Sequence, residues 1–345
     1  MNYIAEYNER LQRGKIPACR RVKAIYAQLA AQSAQTGGRY VFDEVRAQRP
    51  IDFIERFCRH SKGEWAGKPV KLELFQKAFI QALFGFIDAE TGLRRYHEAF
   101  FLVGRKNGKS TLLAGLALYM LIADGEGGAE VYSTATKYAQ ARLLFDEAHN
   151  MVKQSPDLSR HIKKRKTDLY YLPSMSKLQA LARNSDTLDG LNASFIIMDE
   201  LHGVKDRNLY EVMRQSQSAR RQPLLVMITT AGTVRECIFD DMYEHACTVA
   251  DGAITDETFL PILYELDKRD EWTDPAAWIK ANPSLGSIKK ADDLRIKVDR
   301  AKQNPVELSG VLCKEFNIRE TVKTAWLSFD AINSTDTFDM NTFRG

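Results

Sequence analysis

The residues best suited to chemistry stand in one short segment, 103–111, which reads Val-Gly-Arg-Lys-Asn-Gly-Lys-Ser-Thr. It follows an apolar run at 99–103 that is typical of a buried parallel strand, and it opens a predicted helix at 109–123. In that setting the backbone N–H groups of the turn and of the helix N-terminus converge and attract negative charge. The segment therefore predicts a phosphate-binding loop, with ATP as its ligand.

Side chains of this loop indicate roles in phosphate chemistry. Lys109 would reach the β- and γ-phosphates, and Ser110 would offer its hydroxyl to Mg²⁺. Arg105 could neutralise charge that develops on the γ-phosphoryl group; the alternative is a loop arginine that faces solvent. Val103 stands where the usual pattern has its first glycine, so the loop departs from that pattern. The predicted nucleotide-binding residues of the loop are Gly104, Arg105, Lys106, Asn107, Gly108, Lys109, Ser110 and Thr111.

A second candidate is the acidic pair Asp199 and Glu200, which ends the apolar run 195–198. Ligands of open α/β sheets bind at the carboxyl ends of the strands, where these two acids stand. Asp199 is predicted to hold Mg²⁺, and Glu200 to orient and deprotonate the attacking water. Two acids at a helix N-terminus would be an ordinary alternative, but it does not explain the apolar strand before them. Glu200, Lys109 and Arg105 form the predicted catalytic set.

A third candidate is the end of the strand predicted at 224–229, where Thr229 and Thr230 precede Ala231 and Gly232. Two hydroxyls at this position could sense the γ-phosphate and pass the signal on. The alternative is a β-branched strand end that caps the next helix. His202 follows Glu200 by two residues and is given no role.

Short apolar runs alternate with helical patterns along the middle of the chain. This alternation predicts an α/β fold of the P-loop NTPase type (ASCE or RecA-like), with a mostly parallel sheet between two layers of helices. Three regions are expected: an N-terminal helical segment at 1–60, an ATPase core at 61–270, and a lid or linker at 271–345. The strands are predicted at 99–103, 130–134, 178–182, 194–198, 224–229 and 259–266.

The overall composition excludes several classes of protein. A net charge of +4 permits a nucleic-acid partner without requiring one. None of the five cysteines forms a Cys-x-x-Cys pair, which disfavours a metal cage and favours a reducing setting. The longest apolar run, 112–123, is shorter than the roughly 20 residues that span a bilayer. A soluble intracellular protein is expected.

Taken together, these motifs resemble the ATPase half of the large terminase subunits of tailed bacteriophages. The early arginine in the phosphate loop, the acidic pair, and the threonine-rich strand end at 229–232 each match a motif of that family. Leu72, Phe75 and Gln76 resemble its adenine-contacting motif, so the resemblance implies that Gln76 contacts the adenine. It covers about residues 40–330.

The resemblance also implies partners. Such subunits bind ATP and Mg²⁺, assemble as a homo-oligomeric ring on the portal of the procapsid, and translocate double-stranded DNA with a small terminase subunit. The implied location is the host cytoplasm. Related sequences often place an Arg-Gly pair shortly before the acidic strand and supply an arginine to a neighbour's site. Here the pair is Asp189-Gly190, and Arg183 and Arg214 are the candidates for that arginine.

Family members carry a C-terminal nuclease of the RNase H type, and this sequence stops at Gly345, about where that domain should begin. Asp330, Asp336 and Asp339 lack a strand context. We therefore expect a chain that does not cut DNA. The basic run 160–166 could contact DNA phosphates, or it could be a solvated loop.

Two other functions remain as alternatives. A helicase-like ATPase would carry a second set of motor motifs, and the sequence has one set. A nucleotide-binding scaffold of the capsid vertex would not need a water-activating base such as Glu200.

Overall fold

A computed structural model describes residues 1–135, 137–181, 188, 190–203, 207–234 and 237–320. The strands are β1 (Tyr40–Phe42), β2 (Phe86–Asp88), β3 (Glu98–Leu102), β4 (Glu130–Thr134), β5 (Ile162–Lys164), β6 (Asp168–Tyr171), β7 (Ser176–Leu181), β8 (Phe195–Asp199), β9 (Leu224–Thr229) and β10 (Phe259–Leu263). The helices are α1 (Tyr3–Gln12), α2 (Arg20–Ser33), α3 (Glu44–Phe57), α4 (Leu74–Gly85), α5 (Lys109–Ile122), α6 (Tyr138–Gln154), α7 (Pro156–His161), α8 (Asn208–Gln215), α9 (Ile238–Ala250), α10 (Ala291–Gln303) and α11 (Pro305–Glu315).

The main sheet of the described residues has the strand order β10-β3-β9-β8-β4-β7-β6-β5. The strands from β10 to β7 are parallel to one another, whereas β6 and β5 are antiparallel additions at one edge. Every residue of β9 is buried, as expected for a parallel strand covered on both faces. The predicted α/β fold with a mostly parallel sheet is confirmed.

Two apolar layers enclose the sheet because successive strand residues point to opposite faces. Phe101, Ile197 and Val226 belong to a core shared with the helices α1 to α6. Phe100 and Met227 belong to a second core shared with α8 and α9. Helix α5 is buried along nearly its whole length, which explains why its sequence is apolar all round. The sheet therefore fixes α5 rigidly at the centre of one layer.

The region after β10 has a small core of its own, in which Trp272, Trp278 and Phe316 are buried with α10 and α11. The sequence predicted a single clear helix here, and the structure adds α11, which Asn304 caps by accepting from the N–H of Val306. Strand β10 itself pairs with β3 as the edge strand of the main sheet. The region is thus attached to the sheet through β10. Its role as a lid or linker, and the boundaries at 60 and 270, stay predictions.

The basic run 160–166 forms the end of α7 and a β-hairpin made by β5 and β6. The sequence did not predict this hairpin. The side chains of Lys163 and Lys164 are exposed, whereas Arg165 pairs with Asp168 at 2.7 Å and stacks over Tyr170. Among the described residues, no helix is long and apolar enough to cross a membrane.

Gly85, the last residue of α4, tests the packing of α4 against β1 and α3. An added Cβ would lie 2.3 Å from Cε2 of Phe42 and 2.8 Å from Cβ of Ala47. We expect Gly85→Ala to lower the free energy of unfolding by about 1–3 kcal/mol, because this side of α4 has no room for a methyl group. Urea denaturation measures the change.

Gly127→Ala is the matched control, since nothing lies within 4 Å of its added Cβ. It should change the free energy of unfolding by less than about 0.5 kcal/mol. Equal stability of the two variants would contradict the packing described for α4.

Candidate nucleotide site

The phosphate loop (residues 103–108) connects β3 to α5 and ends in Gly108, whose φ of 76° places it in the left-handed region. Lys106 also has a positive φ of 66° and is exposed. Within the described residues, the backbone N–H groups of positions 106–111 have no hydrogen-bond acceptor. Six successive free donors at a helix N-terminus form a site for anionic oxygen atoms. The loop therefore presents free donors of the kind that bind phosphate oxygens.

The amides of Gly104 and Arg105 are used differently. The N–H of Gly104 donates to the carbonyl of Ala281 at 3.0 Å, and that of Arg105 donates to the carbonyl of Lys314 at 3.0 Å. An added Cβ on Gly104 would lie 2.4 Å from Oδ1 of Asn282 and 2.6 Å from the carbonyl oxygen of Glu315. Glycine is therefore required at position 104 by the close approach of the C-terminal segment (residues 281–319). Direct phosphate contact by Gly104 stays a prediction.

Asn107 joins the phosphate loop to the C-terminal segment and is almost fully buried. Its Nδ2 donates to the carbonyl of Gly104 at 2.9 Å and to Oδ1 of Asn282 at 3.0 Å. Its Oδ1 accepts from the hydroxyl of Ser284 at 2.8 Å and from the N–H of Ser284 at 3.1 Å. The amide thus sets the shape of the loop from within. The side-chain amide of Asn107 is thus used within the protein, whereas its backbone N–H is one of the six free donors.

Lys109 lies on the same edge of the sheet as the acidic pair. Its Nζ donates to the carbonyl of Val103 at 3.3 Å. Burial lowers the pKa of Lys109, while Asp199 and Glu200 raise it and Arg105 lowers it, so all four charges lie within electrostatic reach. The geometry follows from the sheet, because one strand, β9, separates β3 from β8 and all three end at the same edge.

The acidic pair occupies the predicted position at the end of β8. Burial raises the pKa of Asp199, and its Oδ1 accepts from the N–H of Glu200 at 2.8 Å. Glu200 has a φ of 57°, which is uncommon for a residue with a side chain. A hydrogen bond from His202 lowers the pKa of Glu200 to about 2. The two carboxylates therefore differ strongly in proton affinity, although they are neighbours in sequence.

His202 links the acidic pair to Thr229 at the end of β9, a contact that the sequence did not predict. Its Nε2 lies 3.1 Å from Oε2 of Glu200, and its Nδ1 lies 3.0 Å from Oγ1 of Thr229. The Thr229 hydroxyl also donates to the carbonyl of Thr230 at 2.8 Å. A Cβ on Gly232 would lie 2.3 Å from the imidazole. The sequence feature that could have predicted this contact is the spacing of two residues between Glu200 and His202.

The coupling loop (residues 229–234) is held by the end of the C-terminal segment. The N–H of Ala231 donates to Oδ1 of Asn317 at 3.1 Å. The guanidinium of Arg319 donates to the carbonyls of Ala231 and Gly232 and also binds Asp240. The hydroxyl of Thr230 is buried and has no hydrogen-bond partner in the described part of the chain. A buried hydroxyl of this kind is available to a ligand or to a water molecule.

A cleft of about 560 Å³ adjoins the phosphate loop and contains Gln76. Gln76 is buried, and its Oε1 accepts from the N–H of Glu73 at 3.0 Å. Its Nε2 approaches Gly108 closely, at 3.1 Å from the position of an added Cβ. Apolar walls come from Leu72 and from Ile288 of the C-terminal segment. The volume and lining suit a nucleoside, and the contact of Gln76 with adenine stays a prediction.

The surroundings of the remaining predicted residues give less support to their predicted roles in nucleotide binding or at a neighbouring subunit. Ser110 is exposed and Thr111 half-buried in the first turn of α5, where their side chains are accessible. Arg214 forms an ion pair with Glu98 at 2.7 Å, at the edge of the sheet opposite the phosphate loop. Arg183 lies outside the described residues. Neither observation decides which arginine acts on a neighbouring subunit.

Comparison with known proteins accounts for this combination of loop, acidic pair and threonine-rich strand. A family model for the ATPase domain of the terminase large subunit matches residues 74–247, about half of the chain. The chain belongs to the terminase large-subunit family. The resemblance inferred from the motifs is thereby confirmed, and the helicase-like alternative is not supported.

Several relatives extend the comparison. The large terminase subunit of Enterobacteria phage HK97 is 30% identical over 266 residues, which cover 75% of this chain and 50% of that protein. The terminase large subunit of Lactococcus phage p2 is 25% identical over 278 residues, again covering 50% of that protein. The crystal structure of the HK97 large terminase has a TM-score of 0.70 at 27% identity and covers 79% of this chain. The chain spans about half the length of these relatives.

The expectation that this sequence stops before the nuclease domain is wrong. A family model for the terminase endonuclease domain matches residues 253–345. The sequence argument failed because it took the lack of a strand around the tail aspartates as the lack of the domain. Residues 321–345, which include those aspartates, lie outside the described residues. Within 253–320, β10 and the C-terminal segment are built into the ATPase sheet and its site.

Asn107→Ala tests whether the C-terminal segment shapes the phosphate loop. The substitution removes hydrogen bonds from buried partners, so we expect the free energy of unfolding to fall by about 1–3 kcal/mol. Affinity for ATP should fall as well, because the loop loses the hydrogen bonds of Asn107 that hold its conformation. Chemical denaturation and a fluorescent-nucleotide titration measure the two effects.

Lys106→Ala is the control for the free energy of unfolding only, because Lys106 is exposed in the same loop but is itself a predicted nucleotide-binding residue. Its effect on stability should stay within about 0.5 kcal/mol. If Asn107→Ala is as mild as this control, Asn107 does not hold the loop.

Proposed function

We propose that this chain hydrolyses ATP and, as part of a DNA-packaging motor, uses the energy to translocate double-stranded DNA into a procapsid. The observation that supports hydrolysis best is the meeting of Lys109, Asp199 and Glu200 at one edge of the sheet, beside six free amides. Family membership supports the packaging role. Both statements are proposals, because the chain spans about half of its relatives.

Binding of the triphosphate would use the free amides of positions 106–111 and the ammonium of Lys109. Ser110 and Asp199 are the proposed ligands of Mg²⁺, which when bound would neutralise phosphate charge. The donor set fits this ion, since Mg²⁺ prefers carboxylate and hydroxyl oxygens. Asp199 suits the role because its burial next to Lys109 leaves a carboxylate that gains from a nearby cation.

Hydrolysis needs a base, and Glu200 is the proposed one. In the structure its carboxylate accepts a hydrogen bond from His202, and its pKa of about 2 makes it a weak base. Loss of this hydrogen bond would raise its basicity and free it to orient water. Because His202 also contacts Thr229, a shift of the coupling loop would change the same bond. Arg105 is the proposed cation for charge on the γ-phosphoryl group.

The partners follow from family membership and remain proposals. They are double-stranded DNA, the portal and procapsid, a small terminase subunit, and further copies of this chain in a ring, within the host cytoplasm. Lys163 and Lys164 on the exposed hairpin are candidate contacts for DNA phosphates. Arg183 and Arg214 remain the candidates for the arginine given to a neighbour.

Lys109→Ala tests the phosphate site. Removing the ammonium leaves phosphate charge uncompensated, so ATP turnover should fall by about 10²–10³-fold. Turnover is measured as phosphate release, with and without DNA and procapsid because the full motor needs its partners. Lys302→Ala, on the exposed face of α10, is the control and should retain full turnover. Unchanged turnover in Lys109→Ala would rule out this site.

Glu200→Gln separates binding from chemistry. The amide keeps the size of the side chain but cannot take a proton, so hydrolysis should fall by about 10²–10⁴-fold with ATP affinity retained. Equilibrium nucleotide binding and turnover are measured on the same preparation. Glu211→Gln on α8, where the carboxylate is exposed, is the control. A variant that no longer binds ATP would contradict the assigned role of Glu200.

A further inference from the structure

A second cavity lies at the edge of the sheet opposite the nucleotide site. It has a volume of about 130 Å³, and its polar lining includes Arg46, Arg49, Arg94, Tyr119 and Asp124. We call it the arginine cavity. No motif that supports the proposed function falls within it.

The fold brings these residues together from separate elements. Arg46 and Arg49 stand one turn apart on α3, and Arg94 precedes β3. Tyr119 is in the last turn of α5, and Asp124 follows that helix. Helix α5 begins at the phosphate loop, so its length of 14 residues, about 21 Å, separates the two sites. The arginine cavity is therefore not an extension of the nucleotide cleft.

Two of the arginines are fixed in place by the protein. Arg94 donates to Oδ1 of Asp124 at 2.7 Å and to the carbonyl of Gln222 at 3.1 Å, and it stacks on Phe84. Arg46 donates to the carbonyl of Gly92. Both guanidinium groups keep further N–H donors, since each has five in total. The cavity thus has rigid walls that carry positive charge.

The other two donors have no protein acceptor. In the described part of the chain, Arg49 has no ion pair or hydrogen bond, and the hydroxyl of Tyr119 has no hydrogen-bond partner. Tyr119 is nevertheless only 5% exposed. Burial raises the pKa of Tyr119 to about 12 and Asp124 adds to this rise, whereas Arg94, Arg49 and Arg46 lower it, so these charges lie within electrostatic reach of the hydroxyl. The hydroxyl and the Arg49 guanidinium therefore face the cavity as donors that no protein group uses.

The charge balance selects the ligand. Three guanidinium groups face one carboxylate in the cavity itself. Asp43 lies 3.6 Å from Arg46, and Asp52 and Arg56 line the adjoining groove, so four arginines face three carboxylates in all. The net positive charge disfavours a cation and favours an anion. Guanidinium groups match the oxygens of phosphate in geometry and form charge-assisted hydrogen bonds with them. The small volume admits one such group.

A simpler explanation is that the arginines only offset the negative end of the α5 dipole. The hydrogen bonds of Arg46 and Arg94 go instead to Gly92, Gln222 and Asp124. In the described residues, no arginine of the cavity donates to a carbonyl of α5. Dipole compensation also gives no reason for an unpartnered hydroxyl at Tyr119.

We propose that the arginine cavity binds a single phosphate group, at a site separate from the ATP site. The group belongs either to free inorganic phosphate or to the backbone of duplex DNA, which share this chemistry. A neighbouring groove shares Arg49 and Tyr119 and adds Arg56, two turns further along α3. A backbone passing along α3 would meet these arginines in succession.

The first experiment measures thermal unfolding with inorganic phosphate, against chloride at equal ionic strength. Lys109→Ala serves as the background because it weakens phosphate binding at the phosphate loop, and the loop amides that remain are the same in every variant compared. Phosphate should raise the Tm of this background. Adding Arg49→Gln or Tyr119→Phe should weaken the apparent phosphate affinity by about tenfold, as expected for loss of one charge-assisted hydrogen bond.

Arg142→Gln is the matched control, because it removes one exposed positive charge from α6 far from the cavity in sequence. It should leave the phosphate response intact. Tyr119→Phe removes a hydroxyl without changing charge, so it separates a direct contact from a general loss of positive potential.

The second experiment measures the affinity of the same variants for a duplex oligonucleotide by fluorescence anisotropy. Weaker DNA binding in both Arg49→Gln and Tyr119→Phe identifies the DNA backbone as the source of the phosphate. Unchanged DNA binding, with the phosphate response lost, identifies free phosphate. The proposal is overturned if neither substitution alters the response to phosphate or the affinity for DNA.

Discussion

The buried amide of Asn107 is the contact on which the nucleotide site depends. It joins the turn after β3 to Asn282 and Ser284, which are 175 and 177 residues away in the chain. A phosphate loop has few side chains with which to hold its own shape, since its N–H groups must stay free for the ligand. Here Asn282 and Ser284 of the C-terminal segment hold the loop in its conformation through Asn107. The loop is therefore completed by a part of the sequence that its own motif does not contain.

A similar arrangement holds the coupling loop. Asn317 and Arg319 bind it from the C-terminal segment, and His202 connects it to Glu200. Both loops of the site thus rest on one continuous stretch of chain. A movement of either loop can therefore be transmitted to the other through side chains that are already in contact. This continuity gives a physical basis for linking the state of the nucleotide to movement of the residues that follow.

The sequence predicted the central strands and the helix α5 well, because a strand covered on both faces must be apolar throughout and a buried helix must be apolar all round. Asp199 and Glu200 were found for the same reason, since they end such a strand. The hairpin 162–171 was missed because β5 and β6 are short, and because β5 carries two lysines instead of a periodic apolar pattern. The contacts of Asn107 and His202 were missed because they depend on long-range packing, which leaves no local signal. The nuclease region was misjudged because a family match does not require aspartates in recognisable strands.

Strand β10 has a consequence for how modular this protein can be. It lies in the stretch matched by the nuclease model, yet its five residues are buried and pair with β3. A polypeptide divided at residue 252 would leave β3 with an unpaired, apolar edge, which is a site for aggregation. The phosphate loop would also lose the hydrogen bonds of Asn107 to Asn282 and Ser284. The boundary between the two family models is therefore not a boundary between independently folded parts of this chain.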